Sequence, residues 1–402
     1  MENNNINASM AHGLQKVLHD LVSRKNIPHA VIAAALGDGS FQWTGAIGNA
    51  APDRTAMTED TPFFIASIDK LLTAAVVLKL CERDHIKLDE PIAAYLTDRL
   101  IGGIHRLRGV DYTDSITVRH LLGHTSGLAD WLEDRPKDGG SIIERLFQDG
   151  DVSMNIYDML STVRDRLSPH FRPQPVEVRR QKVRYSDTNF ILLIAIIEAV
   201  TGKQLHEVHE ELLFRPLGMH HTWLAGYSRP SSPGIDPSSL WIGRKPLNIP
   251  RLMRSTWAIY STARDTLKFM SALIHGDIFD TPETLNLMQR KWNRFGLPLD
   301  RVALRLPTWP IEYGLGMMRF HDPILGAMGR LSRIFAPIYP APAVIGHTGS
   351  TGSWLFYCPQ MDLFFSGTVD QANAGPLPYR LVPKILRLFD DCRKLRDKDC
   401  SR

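Results

Sequence analysis

Residues 63–80 read FFIASIDKLLTAAVVLKL, and within them Ser67 and Lys70 stand three positions apart in an S-x-x-K. The apolar residues on both sides predict a buried helix over Ser67–Cys81. A helix opening at Ser67 carries Lys70 one turn further along the same face. An amine there can take the proton of a serine hydroxyl, which is a poor nucleophile until a neighbouring base activates it. The helix amino terminus also favours the negative charge that develops. A capping serine followed by a surface lysine would read the same way. A lysine entering so apolar a helix, however, requires a purpose.

Outward from this helix the pattern is mixed. Residues 11–25 place Leu14, Val17, Leu18, Leu21 and Val22 on one helical face. Strand signals follow at His29–Leu36 and Phe41–Ile47, with Gly37-Asp38-Gly39 as the turn. Helical spacing dominates to about residue 250, over Val118–Leu122, Ile156–Val163, Asn189–Val200 and Gln204–Phe214. Strand signals return at Trp257–Ser261, Tyr313–Arg319, Val344–His347, Ser353–Cys358 and Leu363–Val369, before a last helix over Tyr379–Leu395. Strands near both ends with helices between predict one α+β domain over residues 1–402: a sheet part (1–66 and 251–402) and a helical part (67–250).

Composition narrows the function class. The chain has 402 residues, 44% hydrophobic and 22% charged, with a net charge of +4. That is ordinary for a globular enzyme and too mild for a nucleic-acid partner. Cys81, Cys358, Cys392 and Cys400 are scattered, which suggests neither a disulfide framework nor a metal site. The opening MENNNINASM has no basic start or apolar run. The longest apolar stretch, Phe190–Val200, is too short to span a bilayer. These features lead to the expectation of a cytoplasmic protein with no membrane span.

Two further motifs follow the S-x-x-K. Tyr185-Ser186-Asp187 stands just before the apolar helix. A tyrosine beside an ammonium can act as a base, whereas the same residues also describe a helix entrance capped by Asp187. His347-Thr348-Gly349 ends a strand and precedes Ser350. A strand edge can offer a backbone N–H to an oxyanion, and Gly349 permits close approach of a substrate. A glycine-rich hairpin turn is the alternative.

In this order the three motifs resemble the penicillin-recognising serine hydrolases, in the branch with class C β-lactamases, D-alanyl-D-alanine carboxypeptidases, D-aminopeptidases and esterases. Leu121–Leu128 (LLGHTSGL), Tyr260–Asp265 (YSTARD) and Tyr313–Gly316 (YGLG) are similar to further segments of that family. The resemblance implies a β-lactamase/transpeptidase-like fold: an antiparallel sheet flanked by helices, with a mainly helical subdomain and the active site between them. It implies Ser67 as nucleophile, Lys70 and Tyr185 in proton transfer, and the backbone N–H groups of Ser67 and Ser350 as oxyanion hole. His347 would hydrogen-bond near Tyr185 and respond to pH near neutrality, with Asp187, Thr348 and Gly349 contacting substrate. No cofactor or metal is implied.

Departures from the family shape the substrate expectation. Asp187 stands where many relatives have asparagine. An ionised carboxylate can only accept, so it would take a substrate N–H, attract a cation or turn inward as a cap. Ser168–Val183 and Asp322–Ala343 look like long loops bordering the cleft. Arg172, Arg179 and Arg180 in the first would attract carboxylates. Ile324, Leu325, Met328, Leu331, Ile334, Phe335 and Ile338 in the second would form an apolar wall. His206, His209, His220 and His221 lack zinc-protease spacing and are expected on a polar helix face. Cys392 is expected in a free charged tail. The expected activity is hydrolysis of an amide in a small linear peptide with D-residues, linearised microcystin being the candidate substrate. Ester hydrolysis, acyl transfer or a non-catalytic relative of the same fold are the alternatives.

Overall fold

Alternation of apolar residues with period two builds the central sheet. The computed structural model describes residues 2–24, 26–232, 234–295, 311–321, 342–372 and 374–399, the side chains of 2–5 and 395–399 excepted. The strands are β1 (His29–Leu36), β2 (Gln42–Gly48), β3 (Asn293–Arg294), β4 (Glu312–Tyr313), β5 (Met318–His321), β6 (Ala343–Thr348), β7 (Trp354–Cys358) and β8 (Leu363–Thr368). They are antiparallel in the order β3-β4-β5-β6-β7-β8-β1-β2. The amino-terminal hairpin therefore adds to the edge of a sheet made by the carboxy-terminal part.

Each sheet face has its own core. Ala30, Ile32 and Ala34 of β1, with Trp354, Phe356 and Phe365, pack under the terminal helices α1 (Glu2–Val22) and α5 (Leu377–Asp399). Val31 and Ala33, with Leu355 and Phe364, face the opposite core. That core holds α2 (Asp69–Glu82), α3 (Asp187–Thr201) and α4 (Ala263–His275). Consecutive residues of one strand thus bury into different layers. Cys392 is buried within α5, so the residues around it form a packed helix and not a free tail. Cys400 lies outside the described residues.

α2 is buried nearly all round, from Lys70 to Leu80. The chain enters it from Phe63–Phe64, which pairs with Ile259–Ser261 in a second, three-stranded sheet with Trp223–Leu224. The Ile65 N–H bonds to the Ile259 carbonyl at 3.1 Å, and a single 3₁₀ turn, Ala66–Ile68, leads into the helix. The expected single strand over Tyr313–Arg319 is instead a hairpin. β4 and β5 pair across Gly314–Met317, and a Cβ on Gly316 (φ +74°) would collide with Ala74 of α2. Among the described residues no single helix is long and apolar enough to cross a membrane.

Candidate active site

Three elements converge on one cavity of about 1380 Å³: the entry to α2, the entry to α3 and the end of β6. Ser67, Asp69, Lys70, Tyr185, Asp187, Thr348 and Ser350 all line it. Ser67 sits in the 3₁₀ turn, directly after Ala66 with a φ of +48°. That left-handed backbone is costly for a residue with a Cβ and persists only where the surroundings fix it. Here Ser353 Oγ donates to the Ile65 carbonyl at 2.8 Å and holds the turn against the β6–β7 corner. At that corner Gly349 lies so close that a Cβ on it would collide with Ser353 Oγ and come within 2.7 Å of Ala66 Cβ. Close approach of two backbones is thus the reason for glycine.

Lys70 Nζ lies 3.3 Å from Ser67 Oγ, 2.6 Å from Asp187 Oδ1 and 3.5 Å from Asp69 Oδ1. It also sits 5.5 Å from the centre of the Tyr185 ring. Burial alone would lower the Lys70 pKa, but the Asp187 and Asp69 carboxylates outweigh it and hold the ammonium well above its ordinary value. Desolvation pushes Asp69 up to about 6, against the pull of Lys70. The Tyr185 hydroxyl is raised by burial, opposed by Lys70. Ser67 approaches that phenol closely enough to favour its ionised form, without a hydrogen bond of normal geometry.

The remaining expected residues have other surroundings. His347 is fully buried beneath the cavity wall. Its Nδ1 contacts the Thr348 carbonyl at 2.7 Å and must donate; its Nε2, 3.0 Å from Tyr313 Oη, then accepts from the phenol. The expected bond near Tyr185 is thus made to Tyr313, whose ring packs edge-on to that of Tyr185. Burial first, and then the Lys70 charge, push the imidazole down to about 3. The expected response to pH near neutrality is therefore corrected: His347 is neutral there. Asp187 is not the cap of α3 but its first residue, with Ser186 in the cap position.

The sequence reading missed the supports. Asp130 accepts backbone N–H bonds from Leu132, Glu133 and Asp187, the last at 3.0 Å. Burial and the nearby Asp187 and Glu133 push its carboxyl well above the ordinary range. His124 accepts from the Ser186 N–H and from the Asn189 amide, and Ser126 Oγ donates to Asn189 Oδ1 at 2.6 Å. The LLGHTSGL segment therefore clamps the start of α3, where Tyr185 and Asp187 sit. Two other expectations change. Arg172, Arg179 and Arg180 are exposed and absent from the cavity wall; Arg184 lines it, paired with Asp134. His209 is buried, not on a polar face, and burial alone lowers it to about 3. Residues 322–341, with the proposed apolar wall from Ile324 to Ile338, lie outside the described residues.

Residues 14–378 match the family described as Beta-lactamase. The chain belongs to this family of serine hydrolases. Esterase EstB of Burkholderia gladioli is 30% identical over 218 residues, 53% of this chain and 51% of the esterase. The chain spans about half the length of the first curated relatives it matches. The D-alanyl-D-alanine-carboxypeptidase/endopeptidase AmpH of Escherichia coli (strain K12) is 23% identical over 332 residues, 81% of this chain and 74% of that protein. The crystal structure of D-amino acid amidase from Ochrobactrum anthropi SV3 superposes with a TM-score of 0.71 at 20% identity, over 96% of this chain and 99% of the amidase. This last likeness is one of fold, the β-lactamase/transpeptidase-like fold of the family.

Proposed function

We propose that this member of the family is a serine peptidase that cleaves an amide bond in a linear peptide with D-residues through an ester on Ser67. The observation that carries the reading is Lys70 Nζ 3.3 Å from Ser67 Oγ, under the Tyr185 ring and within a large cavity. Ser67 Oγ attacks the scissile carbonyl carbon while its proton passes to the Lys70–Tyr185 pair. The same pair returns a proton to the leaving amine as the C–N bond breaks. Water then cleaves the ester, losing a proton to the pair and restoring the serine. The backbone N–H groups of Ser67 and Ser350 take the oxyanion, each donor of this kind supplying about 3 kcal/mol of transition-state stabilisation. Thr348 and Gly349 align the substrate backbone along β6. Asp187 fixes Lys70 and contributes to the substrate-facing wall. His347 acts as a positioning residue, through Tyr313.

The proteins named D-amino acid amidase and D-alanyl-D-alanine-carboxypeptidase/endopeptidase support amide chemistry at D-residues. Linearised microcystin, which contains D-alanine, is the candidate substrate. The cytoplasm is the proposed setting, consistent with free thiols at Cys81, Cys358 and Cys392. Incubation with linearised microcystin, with intact-protein mass spectrometry of the quenched enzyme, tests the proposal. The expected result is a peptidyl adduct on Ser67 and a tetrapeptide product; absence of both rejects it. The likeness to Esterase EstB supports a second reading, ester hydrolysis or acyl transfer. Rapid turnover of p-nitrophenyl esters without any peptide cleavage would favour that.

A further inference from the structure

The reacting groups occupy one part of the cavity only. Away from them Glu133, Arg135, Arg184 and Thr256 also line it, but much of the wall is apolar, and α3 gives the apolar part a direction. Asp187, Ile191 and Ile194 line the cavity at positions i, i+4 and i+7, one face of the helix. Seven residues of helix advance roughly 10 Å. An apolar lane therefore leads from the Lys70–Asp187 pair along α3. Leu252 and Met253 line the same cavity from the helix Pro250–Ser255, and Phe147 from the helix Ile142–Asp149. Ile191, Ile194, Leu252 and Met253 keep 4–6% exposure, whereas Phe147 is 43% exposed and so stands at an opening. At about 1380 Å³ the cavity exceeds even the roughly 1,000 Å³ upper end of common ligand sites, and far exceeds what an alanyl side chain fills. Apolar wall left in contact with water is unfavourable until a ligand covers it.

We propose that this lane is a specificity site for a long apolar arm on the acyl donor, close to the scissile carbonyl. The proposal rests on the reading of Ser67 as nucleophile. The arm lies along Ile191 and Ile194, against Leu252 and Met253, and reaches solvent past Phe147.

The test is a series of p-nitrophenyl esters, from acetyl to decanoyl, kept below their aggregation concentrations. For the wild-type protein kcat/KM is expected to rise about fourfold per methylene while the lane fills, and to level off once the arm exceeds roughly 10 Å. Ile194→Trp and Met253→Trp, on two different helices, narrow the lane. Each is expected to cut the gain to less than about twofold per methylene, with near-ultraviolet circular dichroism reporting the native fold. A fluorophosphonate label on Ser67, located by mass spectrometry, separates the two levels of inference. A labelled Ser67 with a flat or falling wild-type series overturns the lane alone, as does a full wild-type gain in a folded tryptophan variant. An unlabelled Ser67 overturns the nucleophile reading and the lane with it.

Discussion

Lys70 Nζ is closer to Asp187 Oδ1, at 2.6 Å, than to Ser67 Oγ, at 3.3 Å. The ammonium is therefore held first by a carboxylate and only second by the hydroxyl it would activate. A protonated amine cannot accept the serine proton. In the proposed reaction the serine proton goes to the neutral fraction of Lys70, which the Asp187 carboxylate keeps small. The Asp130 carboxyl, bonded to the Asp187 backbone N–H, fixes the residue from behind.

Replacing Asp187 with asparagine keeps the shape and removes the charge. Asp187 raises the Lys70 pKa, so its loss lowers it and increases the fraction of neutral amine at any given pH. The acid limb of the kcat/KM profile, which requires the neutral amine, is expected to move to lower pH. Profiles of wild type and Asp187→Asn with one activated ester make the comparison. An unmoved limb would mean that Lys70 is not the titrating base.

Ser67→Ala removes the proposed acyl acceptor and leaves the cavity otherwise intact. Turnover is expected to fall on the order of 10⁴- to 10⁶-fold, and the covalent adduct seen by mass spectrometry is expected to vanish. Persistence of an adduct on another residue would transfer the nucleophile role there.

Part of this site is legible in the sequence because it is local. The spacing of Ser67 and Lys70 is one helical turn, and β1 and the helix Val118–Leu122 follow from short-range periodicity with their bounds correct. The Lys70–Asp187 pair is not legible, because its members are far apart in the chain and Asp187 reads equally well as a cap. Asp130 carries no motif at all; its role comes from the turn of Leu132 and Glu133 beneath it. Tyr313–Arg319 was misread because residues joined by a tight turn keep the composition of a strand. The reversal at Gly316 is set by contact with Ala74 of α2, a tertiary constraint. The start of the helix Ala263–His275 was legible only through the family likeness of Tyr260–Asp265, a strand-to-helix step at which Thr262 caps the helix by accepting from the Asp265 N–H at 3.1 Å.

Gly349 tests the link between the β6–β7 corner and the nucleophile turn. In Gly349→Ala the new Cβ collides with Ser353 Oγ and crowds Ala66. Overpacking of this kind costs about 1–3 kcal/mol. Here relief requires the corner to move away from Ser67, which also displaces the Ser350 N–H. The variant is expected to show a lower Tm together with a slower acylation step in single-turnover measurements. A lower Tm with unchanged acylation would show that Ser350 does not serve the oxyanion.

His347 gives the pH dependence of stability a definite sign. Its imidazole stays neutral in the folded chain down to about pH 3, while the unfolded chain protonates it near the ordinary 6.5. Between those values the unfolded state binds the extra proton, so stability falls as pH falls, by at most about 1.4 kcal/mol per pH unit for this residue. Above 6.5 the residue contributes no slope. Glutamine at position 347 can accept from Tyr313 and donate to the Thr348 carbonyl but cannot titrate. Urea unfolding of wild type and His347→Gln at pH 5 and pH 7 is expected to show a shallower loss in the variant, by close to one proton. His209, also held near 3, leaves both proteins a shared remainder. Equal losses in the two proteins would mean that His347 titrates alike in the folded and unfolded chains, and that burial and the Lys70 charge do not hold it neutral.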